Sequence, residues 1–263
     1  MVNNMNKIYY LIIFVSVCFF SCISTGKSRE VTSFQDIENL SYTKSKESIL
    51  TKIKSFHKRN SSSGDKKLSF RLSQYARIKY PNDERYILSI LKSGFFIADV
   101  SNAKLSVSYA EHAIKDIKIS DCNSPMVSYF YALNLGLILK EKGLLELSKL
   151  PVIHKSLLCA VKKPELDNAG PLRVLGFLYL KAPSWPQGIG DLDKALKYLK
   201  QAVETGSDFP ENYIFYAEAL IENENKDKAL EMLKKAESLL DDEKWGSYYS
   251  LRWKKHIIRL QNK

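Results

Sequence analysis

The sequence predicts an all-α fold of antiparallel helix pairs, and three observations carry that prediction. From Lys66 onward apolar residues recur at three- and four-residue spacing, and no stretch sustains the period-two alternation of a strand. Turn signals interrupt the pattern at helix-sized intervals: Pro81-Asn82-Asp83, Ser101-Asn102, Gly143, Asn168-Ala169-Gly170-Pro171, Gly206-Ser207-Asp208 and Asn223-Glu224-Asn225. One segment also recurs, Asp193-Lys194-Ala195-Leu196-Lys197-Tyr198-Leu199-Lys200-Gln201-Ala202 returning as Asp227-Lys228-Ala229-Leu230-Glu231-Met232-Leu233-Lys234-Lys235-Ala236. With 263 residues, 45% of them hydrophobic, the chain can bury a substantial core, and 8 Pro with 11 Gly exclude a collagen-like or low-complexity chain. About ten helices are expected.

The copies lie 34 residues apart, Ala195 to Ala229, Leu199 to Leu233 and Ala202 to Ala236. In that period and pattern they resemble tetratricopeptide repeats (TPR). Small residues at both ends of the triplet let the second helix of a hairpin approach the first, and the Leu fills the gap. The preceding segments fit as first helices: Leu172-x-x-Leu175-Gly176-x-x-Tyr179 and Tyr213-x-x-Tyr216-Ala217-x-x-Leu220 place Gly176 and Ala217 at the small-residue position. Upstream, 128–142 with 150–162 and 84–97 with 103–117 read as a third and a fourth pair, and 245–260 as a terminal cap. The expected architecture over 66–263 is therefore a TPR-like solenoid or compact helical bundle with a C-terminal capping helix. The resemblance implies a protein-binding scaffold whose partner meets the inner side, lined by first helices. It places Arg173, Phe177, Ile214, Glu218 and Ile221 there, with Phe177 and Ile214 alternatively core.

The formal net charge of +11 is unevenly distributed. Residues 27–80 hold 13 Lys/Arg against 5 Asp/Glu, while residues 81–263 carry only +2. A nucleic-acid-binding fold would carry its charge on the body, so no nucleic-acid partner is expected.

At the N-terminus Lys7 precedes an apolar run over 8–20, too short for a comfortable membrane span. The run ends at Ser21-Cys22, and a small residue directly before Cys resembles the lipobox of bacterial lipoproteins, although Phe19 replaces the usual Leu. The resemblance implies a signal peptide over 1–21 and lipidation of Cys22. The mature chain would then be lipid-anchored in a bacterial cell envelope, facing the periplasm. An uncleaved anchor and ordinary signal-peptidase cleavage are the alternatives. Residues 22–65 read as a basic, largely flexible tether with one short amphipathic helix at Ile49, Leu50, Ile53 and Phe56, serving either as a lipid contact or as a solvated linker.

Between Tyr179 and Ala195 the chain departs from a tight repeat turn by inserting Ala182-Pro183-Ser184-Trp185-Pro186-Gln187-Gly188-Ile189-Gly190. With Tyr131-Ala132-Leu133-Asn134-Leu135-Gly136, Leu150-Pro151 and Gly170-Pro171-Leu172-Arg173-Val174-Leu175-Gly176, this segment resembles the T-component family of tripartite ATP-independent periplasmic (TRAP) transporters. That resemblance implies a lipoprotein partnering a periplasmic solute-binding protein and assisting ligand handling. The rival is a generic envelope assembly factor gripping a peptide or outer-membrane protein. Trp185, between prolines, is either a binding aromatic or, as preferred, a packed loop anchor.

No catalytic constellation emerges, and neither an enzyme nor a cofactor is expected. His57, His112, His154 and His256 share no metal-ligand spacing. Gly26-Lys27-Ser28 mimics the end of a phosphate-binding loop, but Ser21 stands where its first glycine is needed. Gly188-Ile189-Gly190-Asp191 lacks a third glycine and reads as a loop entering a helix capped by Asp191. Cys122 and Cys159 fall at ends of paired helices that could meet, yet the first helix looks longer than the second. Two separate thiols are the preferred expectation.

Overall fold

The computed structural model describes residues 34–263, apart from 41, 42, 44, 82, 119–121 and 123. The apolar run, Ser21-Cys22 and Gly26-Lys27-Ser28 lie outside the described residues. The all-α prediction holds: among the described residues thirteen α-helices follow one another, and the one strand-like feature is an isolated bridge between Ser184 and Gly190. They are α1 (Phe34–Glu38), α2 (Lys46–Ser55), α3 (Ser63–Lys79), α4 (Glu84–Ala98), α5 (Ala103–Ile114), α6 (Pro125–Lys142), a 3-10 segment (Gly143–Lys149), α7 (Leu150–Ala160), α8 (Leu166–Lys181), α9 (Leu192–Thr205), α10 (Pro210–Glu222), α11 (Lys226–Ser238), α12 (Asp242–Trp245) and α13 (Ser247–Gln261). No described helix is long and apolar enough to cross a membrane.

The polar turn residues act as helix caps. Asp83, Asn102, Asp191 and Asn225 each accept a hydrogen bond from a backbone N–H of the following first turn, at 2.9–3.3 Å. Each satisfies a donor that the helix itself leaves open.

The chain forms two compact units. The N-terminal unit comprises 34–121 and Phe130–Lys149. Here α3 packs on α2 and α4, and α4 on α5. Ile37, Ile49, Leu50 and Ile53 are buried with Leu72, Tyr75, Ala76 and Tyr86 in one core. This corrects the expected tether over 22–65, because from Phe34 the segment supplies an apolar face to α3 and α4. Burying each Ile or Leu contributes roughly 1.5–3 kcal/mol, enough to hold a short helix that its Lys- and Ser-rich sequence would not form alone. At the α4–α5 crossing a Cβ on Gly94 would collide with the Cβ of Ala113, so only glycine permits this approach.

The C-terminal unit comprises Cys122–Tyr129 and Leu150–Lys263. Within it α9 packs on α8 and α10, α11 on α10, and α13 on α10, α11 and α12. Ala195, Ala202, Ala229 and Ala236 are all buried, as are Leu199 and Leu233. A Cβ on Gly176 would stand 2.7 Å from Leu199 Cγ, which explains why the first helix needs its smallest residue opposite that leucine. Enlarging Ala202 or Ala236 to Leu is expected to cost roughly 1–3 kcal/mol by overpacking. Urea-denaturation midpoints measure this, and unchanged midpoints for both variants would contradict the pairing.

Two expectations for this unit are corrected. The terminal cap is not one helix over 245–260: Gly246, at φ 86, separates α12 from α13. That left-handed residue, which glycine adopts without penalty, turns Trp245 back into the core. Its ring lies 5.2 Å from Phe209 and 6.0 Å from Trp253. Cys122 and Cys159 are not separate thiols but a disulfide, with Cα atoms 5.3 Å apart. Cys122 precedes α6, as expected, so the greater length of that helix does not fix the height of its sulfur.

Candidate functional site

The first helix α8 and the terminal helix α13 both pack against α10, the second of the two first helices, in the C-terminal unit. Their side chains form two clusters. One is a polar hub around Arg173, which is buried. Its NH1 donates to Asn212 Oδ1 at 2.9 Å and to the Asn168 carbonyl at 3.0 Å. NH2 lies 3.5 Å from Asp167 Oδ2 and Nε 3.3 Å from Glu211 Oε2, the latter an ion pair whose geometry falls short of a hydrogen bond. The guanidinium also lies 4.5 Å over the Phe209 ring. Asn212 Nδ2 reaches the carbonyls of Gly206 at 2.7 Å, Ala202 at 3.0 Å and Asn168 at 3.1 Å. Together these groups secure Asp167, Asn168 and Ala169, three consecutive non-glycine residues in the left-handed region with φ 48, 55 and 62. Tyr129 donates its hydroxyl to Asp167 at 2.8 Å, and Gly170 leaves room for that ring.

The other cluster is centred on Glu218, which is 1% exposed. Lys181 Nζ donates to Oε1 at 2.7 Å and His256 Nε2 to Oε2 at 3.2 Å, with Arg259 and Lys263 each 3.9 Å away. Burial pushes the Glu218 carboxyl up, but the His256 hydrogen bond and the Lys181 charge prevail and hold it at about 2. Burial pushes His256 down, against the pull of Glu218, so the ring is neutral at pH 7 and donates its Nε2 proton. Beside this cluster Phe177 and Phe215 stack at 4.2 Å, and Lys181 lies 5.5 Å over the Phe177 ring.

The structure thus sorts the predicted partner-facing residues. Arg173 and Glu218 are buried and serve the interior, correcting their assignment to a contact surface, and Ile214 is buried as its alternative reading as core has it. Arg173 is enclosed by groups at the start of α10, and Glu218 by Lys181 of α8 and His256 of α13. Phe177 and Ile221 are half-buried. Trp185 is corrected in the opposite sense: it is 85% exposed and not a packed anchor.

The Trp185 loop is nonetheless firmly built. Gln187 and Gly188 donate to the Ser184 carbonyl at 3.1 and 3.2 Å, Gly190 to Pro183 at 2.7 Å, and Asp191 to Tyr179 at 3.0 Å. A Cβ on Gly188 would stand 2.6 Å from the Pro183 carbonyl, and one on Gly190 would collide with that of Ala182. These glycines let the loop fold back on itself. The bulky indole is left outside on a backbone with little freedom.

The histidines each have an ordinary partner. His112 Nδ1 lies 2.7 Å from the Ser108 carbonyl, and His154 Nε2 lies 2.8 Å from the Tyr179 hydroxyl. His57, in the N-terminal unit, meets a buried serine cluster missed in the sequence: its Nε2 lies 2.7 Å from Ser93 Oγ, which contacts Ser69 Oγ at 2.8 Å and Ser73 Oγ at 3.0 Å. Burial, then Lys92 and Lys54, push His57 down to about 3. Its unfolded value near 6.5 is higher, so the unfolded state binds the proton first and stability falls as pH drops below 6.5. Acidifying from neutral to about pH 5 is expected to cost this unit roughly 2 kcal/mol, and His57→Gln should flatten that slope. Urea midpoints at both pH values measure it; equal slopes for the two proteins would refute the assignment. Among the described residues no group of three or more His, Cys, Asp or Glu is placed to hold a metal ion.

Comparison with known proteins agrees with the repeat reading where the repeats are clearest. Residues 190–249 match the tetratricopeptide repeat family model. Among solved structures the chain is similar to one described as the crystal structure of MamA, at 16% identity and a TM-score of 0.42, covering 67% of this chain and 89% of that one. No curated protein matches the chain in sequence.

Proposed function

We propose that the protein is a non-enzymatic protein-binding scaffold, lipid-anchored through Cys22, whose partner docks on the Trp185 loop and the neighbouring edge of the first-helix face. The observation that carries this reading is Trp185 itself, a large aromatic 85% exposed on a pinned loop. A rigid aromatic loses little conformational entropy on association, and tryptophans are enriched among residues that dominate binding energy. Phe177 and Ile221, half-buried beside the Glu218 cluster, extend the apolar contact, and Lys181 adds charge.

The Cys122–Cys159 bond supports export, since disulfides persist outside the reducing cytoplasm. A solute-binding protein of a TRAP transporter is the second reading of the partner. What favours it is that the segments carrying the T-component resemblance, 170–176 and 182–190, are those that build the Arg173 hub and present Trp185.

Affinity capture from membranes, with a photo-crosslinking residue in place of Trp185, tests the scaffold. A solute-binding protein in the crosslink supports the transporter reading and an envelope assembly complex the general one; no partner at this position refutes the docking site. Cys22→Ser should release the chain from membranes. If that variant stays bound and keeps residues 1–21, the segment is an uncleaved anchor.

A further inference from the structure

We infer that the outward face of α13 is an interaction surface for anionic lipid, acting independently of any acyl chain on Cys22. The helix uses one face for the fold, burying Tyr249, Trp253, Ile257 and Leu260. A terminal helix closing a repeat array ordinarily turns a polar face outward. Here Tyr248, Leu251 and Ile258 are each about half exposed, at helical spacing along one side. The stripe runs ten residues, about 15 Å at 1.5 Å per residue.

The charge around the stripe indicates its occupant. From Ser247 to Lys263 the chain holds Arg252, Lys254, Lys255, Arg259 and Lys263 and neither Asp nor Glu. Three of these are engaged inward: Arg252 with Glu211, Arg259 with Glu218, and Lys263 with Glu218 and Glu222. Lys254 and Lys255 are exposed, the first beside the stripe and the second within it between Leu251 and Ile258, and make no ion pair among the described residues. An apolar strip studded with uncompensated lysines does not suit a second copy, whose matching face carries the same charge. Nor does it suit residues 1–33, where Lys7, Lys27 and Arg29 oppose only Glu30.

A flat anionic lipid surface answers each feature. Leu251 and Ile258 enter the boundary of the acyl region, Tyr248 lies at headgroup depth, and the lysine stems extend their ammonium groups to the phosphates.

The test measures partition of the full chain onto vesicles of phosphatidylcholine alone and vesicles enriched in phosphatidylglycerol, at low and high salt. The apolar N-terminal run contributes to both vesicle types, so the readout is the anionic preference and its change in two variants at exposed positions. Lys254→Gln/Lys255→Gln should lower the partition coefficient on anionic vesicles by roughly 30-fold, from about 1 kcal/mol per lysine near such a surface. Leu251→Ser/Ile258→Ser should lower it on anionic vesicles and leave the remaining binding more sensitive to salt. An anionic preference that both variants retain belongs to the basic N-terminal segment and overturns the inference. So does binding of polyglutamate that depends on the lysine pair alone and matches vesicle binding, which would make the face a site for acidic protein.

Discussion

Arg173→Met should destabilise the C-terminal unit by about 3–5 kcal/mol, the range for removing one partner of a buried ionic cluster. The replacement matches much of the volume but supplies no donor. Asp167 and Glu211 would keep their charge in a largely buried setting, and the Asn168 carbonyl would lose one of its two side-chain donors. The left-handed run at 167–169 would then be held mainly by Asn212 and Tyr129. Arg173→Lys should recover only part of the loss, because an ammonium cannot reproduce the planar fork that reaches Asn212, Asn168 and two carboxylates together. Denaturant unfolding of both variants measures this. A shift below about 1 kcal/mol for Arg173→Met would mean that the cluster's charges are solvated in solution and the hub adds little to stability.

The second large effect concerns the Cys122–Cys159 bond, which closes a loop with a sequence separation of 37. Restricting the unfolded chain over a loop of that length stabilises the fold by about 3–4 kcal/mol in the chain-entropy model. Reduction should lower the unfolding midpoint accordingly, and Cys122→Ser/Cys159→Ser should show the lowered midpoint without reductant. In the unfolded wild-type chain, reductant should reveal two additional reactive thiols. An unchanged thiol count on reduction would show that the bond does not form.

Much of the fold was legible because its determinants are local. The 34-residue spacing of Ala195, Leu199 and Ala202 with Ala229, Leu233 and Ala236 reports a packing rule written directly in residue size, and the structure buries all six. Polar residues before helices were equally readable, since a cap is made within three or four residues. Features that join distant segments were not. Ile49, Leu50 and Ile53 were legible as one apolar helix face, but Ile37 looks isolated in a polar stretch, and only the complementary faces of α3 and α4 make all four core. Gly246 gave no signal distinguishing a helix break from a tolerated glycine.

The site was less legible still. Helical periodicity assigned Arg173 and Glu218 to one face, but whether a charge faces solvent or a buried counter-charge depends on residues 38 and 37 positions away, Glu211 and Lys181. Asn212 resembled an ordinary polar residue in a first turn; its three carbonyl partners come from two other segments. The serine cluster around His57 was hidden for the same reason, because serines are unremarkable until three of them converge. Trp185 was misjudged because tryptophan usually buries its area, and only the loop's internal hydrogen bonds show that the ring has been left outside.

The placement of the tryptophans has a spectroscopic consequence. Trp245 and Trp253 are packed around Phe209 inside the C-terminal unit, while Trp185 alone meets water. The intrinsic emission of the native protein is therefore split into a shielded, blue-shifted component and a solvent-relaxed, red-shifted one. A soluble quencher addresses only the latter. Loss of quenching without a change in the blue component reports occupancy of the Trp185 loop, whereas loss of the blue component reports unfolding, so the unlabelled chain distinguishes docking from denaturation in a single titration.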